Sequence, residues 1–304
     1  MNYNLITILG PTASGKTTLA ANIAQKLGSG VISADSRQVY KQMDIGTGKD
    51  LDDYNINNVA IPYFLVDICN AGEKYNVYEF QKDFINVFSD FSKRNVTPVL
   101  CGGSGLYIEA VLKGYRMISV PVNEILRNEL ESKSDDELSG ILARLKMLHN
   151  TTDLTTRKRL IRAIEIEQYQ KENTIDSPNF PEIKSLLIGI YYERNELKQR
   201  ISQRLKIRLE SGMIEEVRKL LLSGISPEDL IYYGLEYKFI TLFLTNQLSY
   251  NDMVSQLNIA IHQFSKRQMT WFRKMEREGF QIQWIDGHLS LDNKVNKVLE
   301  FFNQ

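Results

Sequence analysis

The sequence predicts an α/β fold, a P-loop NTPase-like parallel sheet flanked by helices and carrying an all-helical insertion domain, from three observations. A strand, a glycine-bearing loop and a helix follow one another at the N-terminus, βα alternation continues to about residue 112, and strand signals vanish between about 113 and 181. In order, strand 4–9 runs through Leu5, Ile6, Thr7, Ile8 and Leu9 into Gly10, and a helix is predicted over 15–27. Strands at 30–34 and 62–68, a helix at 76–94, a strand at 96–101 and a helix opening near Gly105 follow. Val77, Phe80, Phe84, Val87, Phe88 and Phe91 recur at three and four residues, so these phenylalanines read as core. The insertion comprises charged helices near 122–132, 135–149 and 155–171 and a loop at 173–181. SLLIGIYY at 185–192 reads as a strand rejoining the sheet, with helices near 194–210, 213–223, 250–278 and 290–302 after it. The expected domains are therefore a core of 1–112 with 182–304 and an insertion of 113–181.

At 304 residues the chain exceeds the usual ~100–200 residues of one domain. No stretch approaches the ~18 consecutive apolar residues of a membrane span, and the N-terminus enters the first strand without a signal-peptide pattern. A cytoplasmic protein without membrane association is expected. Cys69 and Cys101 lie on separate apolar runs without CxxC or His-rich spacing, which points to buried thiols rather than a disulfide or zinc site. Lys+Arg and Asp+Glu balance at 37 each, which argues against a uniformly basic surface while leaving local patches open.

Gly10-Pro11-Thr12-Ala13-Ser14-Gly15-Lys16-Thr17 fits GxxxxGK[ST] in the strand-before, helix-after context that motif requires. Inward-turned N–H groups, a helix N-terminus and Lys16 suit phosphate oxygens, and the Thr17 hydroxyl suits Mg²⁺. The motif is silent about chemistry. A nucleotide or metabolite kinase would use the same loop and needs a magnesium-binding aspartate at another strand end. Asp67 is the candidate for that role, with Arg157, Arg159 and Arg162 as a lid.

Val31-Ile32-Ser33-Ala34 delivers Asp35-Ser36-Arg37-Gln38-Val39-Tyr40 beyond its carboxyl end, on the edge that carries the phosphate loop. GPTASGKT followed by ISADSRQVYKQMDIGTGK closely resembles the tRNA dimethylallyltransferase (tRNA isopentenyltransferase) family, bacterial in type. The resemblance continues through CGGSGLYIEAVLKG at 101–114, RKRLIRAIEI at 157–166, ISQRLKIRLESGMIEEVRKL at 201–220 and FSKRQMTWFRK at 264–274, and so spans nearly the whole chain. It implies transfer of the dimethylallyl group of dimethylallyl diphosphate to the exocyclic amine of the adenosine immediately 3′ of the anticodon in tRNA, with Mg²⁺ as cofactor.

By the resemblance, residues 10–17 hold the diphosphate and Arg204 reaches it, aiding departure of the leaving group. The residues alone leave Arg194, Lys198, Arg200, Arg204, Lys206 and Arg208 as a solvated helix face. Asp35 resembles the family's catalytic aspartate, taking a proton or hydrogen bond from the amine; alternatively it caps a helix beginning near Ser36. Ser36, Arg37 and Gln38 would line the adenine pocket. Gly102-Gly103-Ser104-Gly105 offers Ser104 to RNA phosphate or is a glycine turn needed for packing. Arg159, Leu160, Ile161 and Arg162 in the insertion match the stretch that contacts the anticodon stem-loop. Lys266, Arg267, Gln268 and Arg273 match the tRNA-contacting segment, and Lys266, Thr270, Arg273 and Arg277 share one helical face.

The chain departs from the family pattern at Gly48 and Asp50, where alanine and proline are usual, which leaves the role of Lys49 open. It departs again at Ile231-Tyr232-Tyr233-Gly234-Leu235-Glu236-Tyr237, which lacks a basic residue, and at LHNTTD, 148–153. No C-terminal zinc-finger pattern precedes Gln304. The rivals are the kinase, a non-catalytic nucleotide-dependent RNA-binding regulator, and a transferase acting on free adenylate, against which the insertion argues. A monomer suffices for the tRNA reaction.

Overall fold

The computed structural model describes residues 3–115, 117–145, 156–173 and 180–304. The end of the helix expected at 135–149, the LHNTTD stretch and most of the loop at 173–181 lie outside the described residues.

Two compact units are present, Met1–Tyr115 with Pro181–Gln304, and Arg116–Phe180. In the larger unit, β1 (Leu5–Leu9) leads into α1 (Lys16–Lys26), followed by β2 (Val31–Ser33), a 3-10 turn at Leu51–Tyr54, and a hairpin of β3 (Asn55–Ile56) and β4 (Val59–Ala60). Then come β5 (Tyr63–Phe64), α2 (Val77–Lys93), β6 (Val99–Gly102) and α3 (Gly105–Leu112). The smaller unit holds α4 (Glu124–Glu131), α5 (Asp135–Leu145) and α6 (Arg157–Glu172). The larger unit resumes with β7 (Ser185–Tyr191), α7 (Arg194–Glu210), α8 (Met213–Leu222), α9 (Pro227–Tyr232), α10 (Leu235–Leu244), α11 (Tyr250–Arg277), β8 (Ile282–Asp286) and α12 (Leu291–Asn303).

The main sheet is six-stranded and parallel, ordered β5-β2-β6-β1-β7-β8. β1 is buried throughout, as a strand covered by helices on both faces must be. Its neighbours pair in register, Ile6 beside Val99 and Leu186. The carboxyl ends of β1, β2 and β6 therefore lie side by side, where open α/β sheets place their ligands. α2 buries Phe80, Phe84, Phe88 and Phe91, as the three-and-four spacing predicts, each worth about 2 kcal/mol of transfer from water. A capping box between Asn76 and Glu79 fixes where α2 begins.

Two expectations need correction. The strand predicted at 62–68 survives only as Tyr63–Phe64, because Leu65 and Asp67 adopt φ of 61° and 56° and leave the extended region. Of the two thiols read as buried, Cys101 is buried and Cys69 is half-buried.

Candidate active site at the carboxyl edge of the sheet

The phosphate loop takes its shape from Ala13 and Gly15, both with left-handed backbone (φ 62° and 78°), which turns the chain sharply into the first turn of α1. Lys16 Nζ folds back to the Pro11 carbonyl at 2.9 Å. Burial lowers the Lys16 pKa and the nearby Arg204 charge adds to this, against the raising influence of the Asp35 and Asp50 carboxylates. Cys101 lies beneath the loop, its thiol pushed up to about 12 by burial and so kept protonated. Ser14 Oγ is buried without a hydrogen-bond partner among the described residues, and Arg208 Nη2 makes no hydrogen bond, only an ion pair with Asp50 Oδ2 at 3.5 Å. Buried donors left unpaired in this way suit an incoming anion.

Asp35 follows β2 and is partly exposed. Its Oδ1 accepts the Arg37 N–H at 2.9 Å, so the carboxylate closes a turn rather than capping a helix, since residues 36–39 form no helix. That bond orients the carboxylate and leaves Oδ2 without a donor among the described residues. The adjacent Ser36 N–H donates to Ser104 Oγ at 3.2 Å, tying the Asp35 loop to the end of β6. Gln38 is held from both sides, accepting from Ser33 Oγ at 3.0 Å and donating to the Gly48 carbonyl at 3.0 Å. The Arg37 guanidinium stands 5.6 Å from the centre of the Tyr232 ring.

α7 contributes more than a solvated face. Arg200 Nε donates to the Ala13 carbonyl at 3.1 Å while its guanidinium stacks over Tyr192 at 4.4 Å. Arg204 Nη1 donates to Thr12 Oγ1 at 3.3 Å and Nη2 to Asp50 Oδ2 at 2.5 Å. Arg208, one turn on, has a side chain only 13% exposed, and burial together with Arg204 lowers its pKa. Glu236 faces the arginines, its carboxyl raised by burial. Thr12, Ala13, Arg204, Arg208, Glu236 and Ile261 help line a cavity of about 280 Å³ including its open mouth. Asp50, Arg208 and Glu236 were not singled out as site residues from sequence; a change of residue type at Asp50 and at the Glu236 segment was their only signal.

The glycine run at 102–105 is explained by packing. A Cβ would strike the Ala34 backbone at Gly102, Gln268 at Gly103 and Trp271 at Gly105. Gln268, expected among RNA contacts, is buried: Oε1 accepts the Thr12 N–H at 2.9 Å and Nε2 donates to the Gly103 carbonyl at 3.0 Å. With both ends of its amide engaged, it positions the phosphate loop instead. Lys266, Arg267, Thr270, Arg273 and Arg277 are exposed on α11, and none of these four basic residues has a carboxylate partner among the described residues. Lys274 is neutralised by Glu109 and Glu278.

In the smaller unit, Leu160 and Ile161 are corrected from RNA contacts to core, packed with Leu130, Leu138, Leu142 and Ile164. An apolar side chain there gains more from burial than from exposure to a phosphate backbone. Arg157 is committed to Glu131, Asp135 and three carbonyls of 130–133. Arg162 pairs with Glu165 and donates to the Val120 carbonyl at 2.8 Å. Lys158 and Arg159 are the exposed basic residues of this helix start.

Asp67, the magnesium ligand a kinase would need, pairs with the buried Lys49 and follows β5, separated from β1 by β2 and β6. Lys49 also donates to the Tyr40 carbonyl at 2.6 Å and to Asp44 at 2.7 Å, which makes it a structural knot. No group of three or more His, Cys, Asp or Glu side chains suited to a metal occurs among the described residues. Mg²⁺ needs no such cage, since it commonly takes one or two protein oxygens with phosphates and waters, and Thr17 in the first turn of α1 fits that donor set.

A family model described as IPP transferase matches residues 38–275, and one described as isopentenyl transferase matches 3–64. The tRNA dimethylallyltransferase 1 of Parabacteroides distasonis is 57% identical over 302 residues, covering 99% of this chain and 98% of that protein. The crystal structure of a tRNA isopentenylpyrophosphate transferase from Bacillus halodurans superposes with a TM-score of 0.71 at 30% identity, covering 99% and 96% of the two chains. A eukaryotic dimethylallyltransferase crystallised acting on tRNA shares the fold, with a TM-score of 0.78 at 21% identity, covering 98% of this chain and 79% of that one.

Proposed function

The chain belongs to the IPP transferase family of tRNA dimethylallyltransferases, and from that premise we propose how its own residues carry the reaction. Dimethylallyl diphosphate donates its prenyl group to the N6 amine of the adenosine immediately 3′ of the anticodon. The observation that carries the reading is the meeting of a phosphate loop, Asp35 and Arg204 at one sheet edge in a chain of this family.

Residues 10–17 receive the diphosphate on inward-turned N–H groups, with Lys16 and Arg204 supplying positive charge where negative charge develops. Thr17 would hold Mg²⁺, which when bound would supply neutralisation of leaving-group charge. As the allylic C–O bond breaks, its electron pair stays with the diphosphate, and the adenosine N6 lone pair forms the new C–N bond. Asp35 Oδ2 accepts the proton that N6 must lose, held in place by the Arg37 N–H on Oδ1. The target base has to leave its stack to reach this carboxylate. Ser36 and Arg37 flank it, and the Arg37–Tyr232 pair offers a planar surface beside the pocket.

RNA phosphates are met by the exposed basic residues of α11 and, on the smaller unit, by Lys158 and Arg159. A cytoplasmic monomer acting on the anticodon stem-loop is the cellular reading that goes with a tRNA substrate. No helix among the described residues is long and apolar enough to cross a membrane.

The test is transfer of radiolabel from dimethylallyl diphosphate with Mg²⁺, comparing bulk tRNA with free AMP and the wild type with Asp35→Ala. Label in tRNA, absent from AMP and lost in the variant, is expected. Label in AMP but not tRNA would overturn the acceptor, and full activity of Asp35→Ala would overturn the role of Asp35.

A further inference from the structure

Gly48 and Asp50 bring a carboxylate to the two arginines of α7. Arg204 Nη2 donates to Asp50 Oδ2 at 2.5 Å, and Arg208 Nη2 stands 3.5 Å from the same oxygen. Gly48 has φ 69°, and a Cβ there would fall on the Arg208 guanidinium and crowd Arg204 Nη2 at 2.7 Å. The left-handed backbone favours glycine at this position, and the missing Cβ leaves both guanidiniums where they stand, facing Asp50.

The charge balance makes Asp50 the principal counter-ion. Two guanidiniums one helical turn apart repel, and Arg208 is largely buried. Glu236, the other carboxylate facing them, is pushed by burial toward its neutral form. Arg204 meanwhile keeps Nη1 on Thr12 of the phosphate loop, so one side chain joins Asp50 to the loop.

We propose that Asp50 is an internal stand-in for diphosphate, holding Arg204 and Arg208 at the mouth of the loop when no diphosphate is bound and competing with diphosphate oxygens for the Arg204 N–H groups. The proposal rests on Arg204 being a diphosphate ligand. Asp50 then prepositions the arginines, weakens ground-state affinity for the donor, and hastens loss of the product by reclaiming Arg204 as diphosphate departs. An asparagine keeps the shape and one acceptor oxygen while removing the charge, so it competes poorly with a phosphate.

The experiment is calorimetric titration of inorganic diphosphate with Mg²⁺ into the full chain as wild type, Asp50→Asn, Asp50→Ser and Arg204→Gln, each checked by thermal melting. Loss of a half-exposed competing charge should tighten diphosphate binding by about fivefold in both Asp50 variants, with product inhibition strengthened in parallel. Arg204→Gln should weaken it. Unchanged or weaker binding in a folded Asp50 variant overturns the stand-in role while leaving the site reading intact. Unchanged binding in folded Arg204→Gln removes the premise itself, and the stand-in role falls with it.

Discussion

The Thr12 N–H donates to Gln268 Oε1 at 2.9 Å, a bond that joins the phosphate loop to α11 across 256 residues of chain. The other end of the same amide donates to Gly103, so one buried side chain sets the spacing between the loop after β1 and the turn after β6. Gln268→Leu leaves both groups unpaired, at about 1–3 kcal/mol for each buried polar group. The expected outcome is a rise of about tenfold in the KM for dimethylallyl diphosphate, with the tRNA KM changed less than twofold. Steady-state kinetics varying each substrate separately decide it; an effect confined to the tRNA KM would make Gln268 an RNA contact after all.

Residues whose chemistry is encoded locally are legible in the sequence. The phosphate loop is a contiguous motif with a fixed strand and helix around it, and Asp35 stands at a strand end beside it. Arg200, Arg208 and Glu236 were not legible as site residues, because α7 carries a charge at nearly every second or third position and so reads as a solvated face. Only the packing of α7 and α10 against the loop separates its inward arginines from Arg194 and Lys206. Leu160 and Ile161 misled for the opposite reason, since a match to an RNA-contacting stretch does not tell which side of a helix each residue takes. The β3–β4 hairpin was missed although Asn57 and Asn58, both with positive φ, are the residues a tight hairpin turn favours.

The Lys49 knot gives a second test. Lys49 is 2% exposed and satisfied by the Tyr40 carbonyl, Asp44 and Asp67. Lys49→Met removes the charge and strands two carboxylates, which should cost about 3 kcal/mol in urea unfolding. Asp67→Asn should lower stability as well, yet leave the Mg²⁺ dependence of transfer untouched. A shifted Mg²⁺ requirement in that variant would return Asp67 to the metal role a kinase would give it.

Glu109 makes stability depend on acid. Its side chain is fully buried on α3; burial alone would raise its pKa, but hydrogen bonds from Lys113, Tyr115 and Lys274 outweigh this and hold it at about 2. A carboxyl lowered in the folded state stabilises above its ordinary value and loses that contribution as pH falls toward the folded value. Between about pH 4.5 and pH 2 the wild type should therefore lose roughly 3 kcal/mol through this group. Glu109→Gln should be less stable at neutral pH and show a shallower loss across that window. Urea midpoints measured at intervals through it give the comparison, and parallel curves for the two proteins would dismiss Glu109 as the source.

The basic face of α11 separates residues that can grip RNA from one that cannot. Lys266 and Arg273 are exposed and carry no carboxylate partner among the described residues, so each has its full charge to offer a phosphate. Each such contact releases a counter-ion, so log affinity for tRNA should fall with log salt by a slope that drops roughly 0.7–0.9 for every contact removed. Lys266→Ala with Arg273→Ala should weaken tRNA binding by about tenfold near physiological salt and flatten the slope by about 1.5, while the donor KM stays unchanged. Lys274, the residue after Arg273 on the same helix, differs in kind, because Glu109 and Glu278 already take its charge. Lys274→Ala should reduce stability and leave the salt slope as it was. Filter binding of tRNA across a salt series, run on both variants, reads the difference: a slope that moves for Lys274 and not for the pair would place the RNA against the Lys274 flank of this helix.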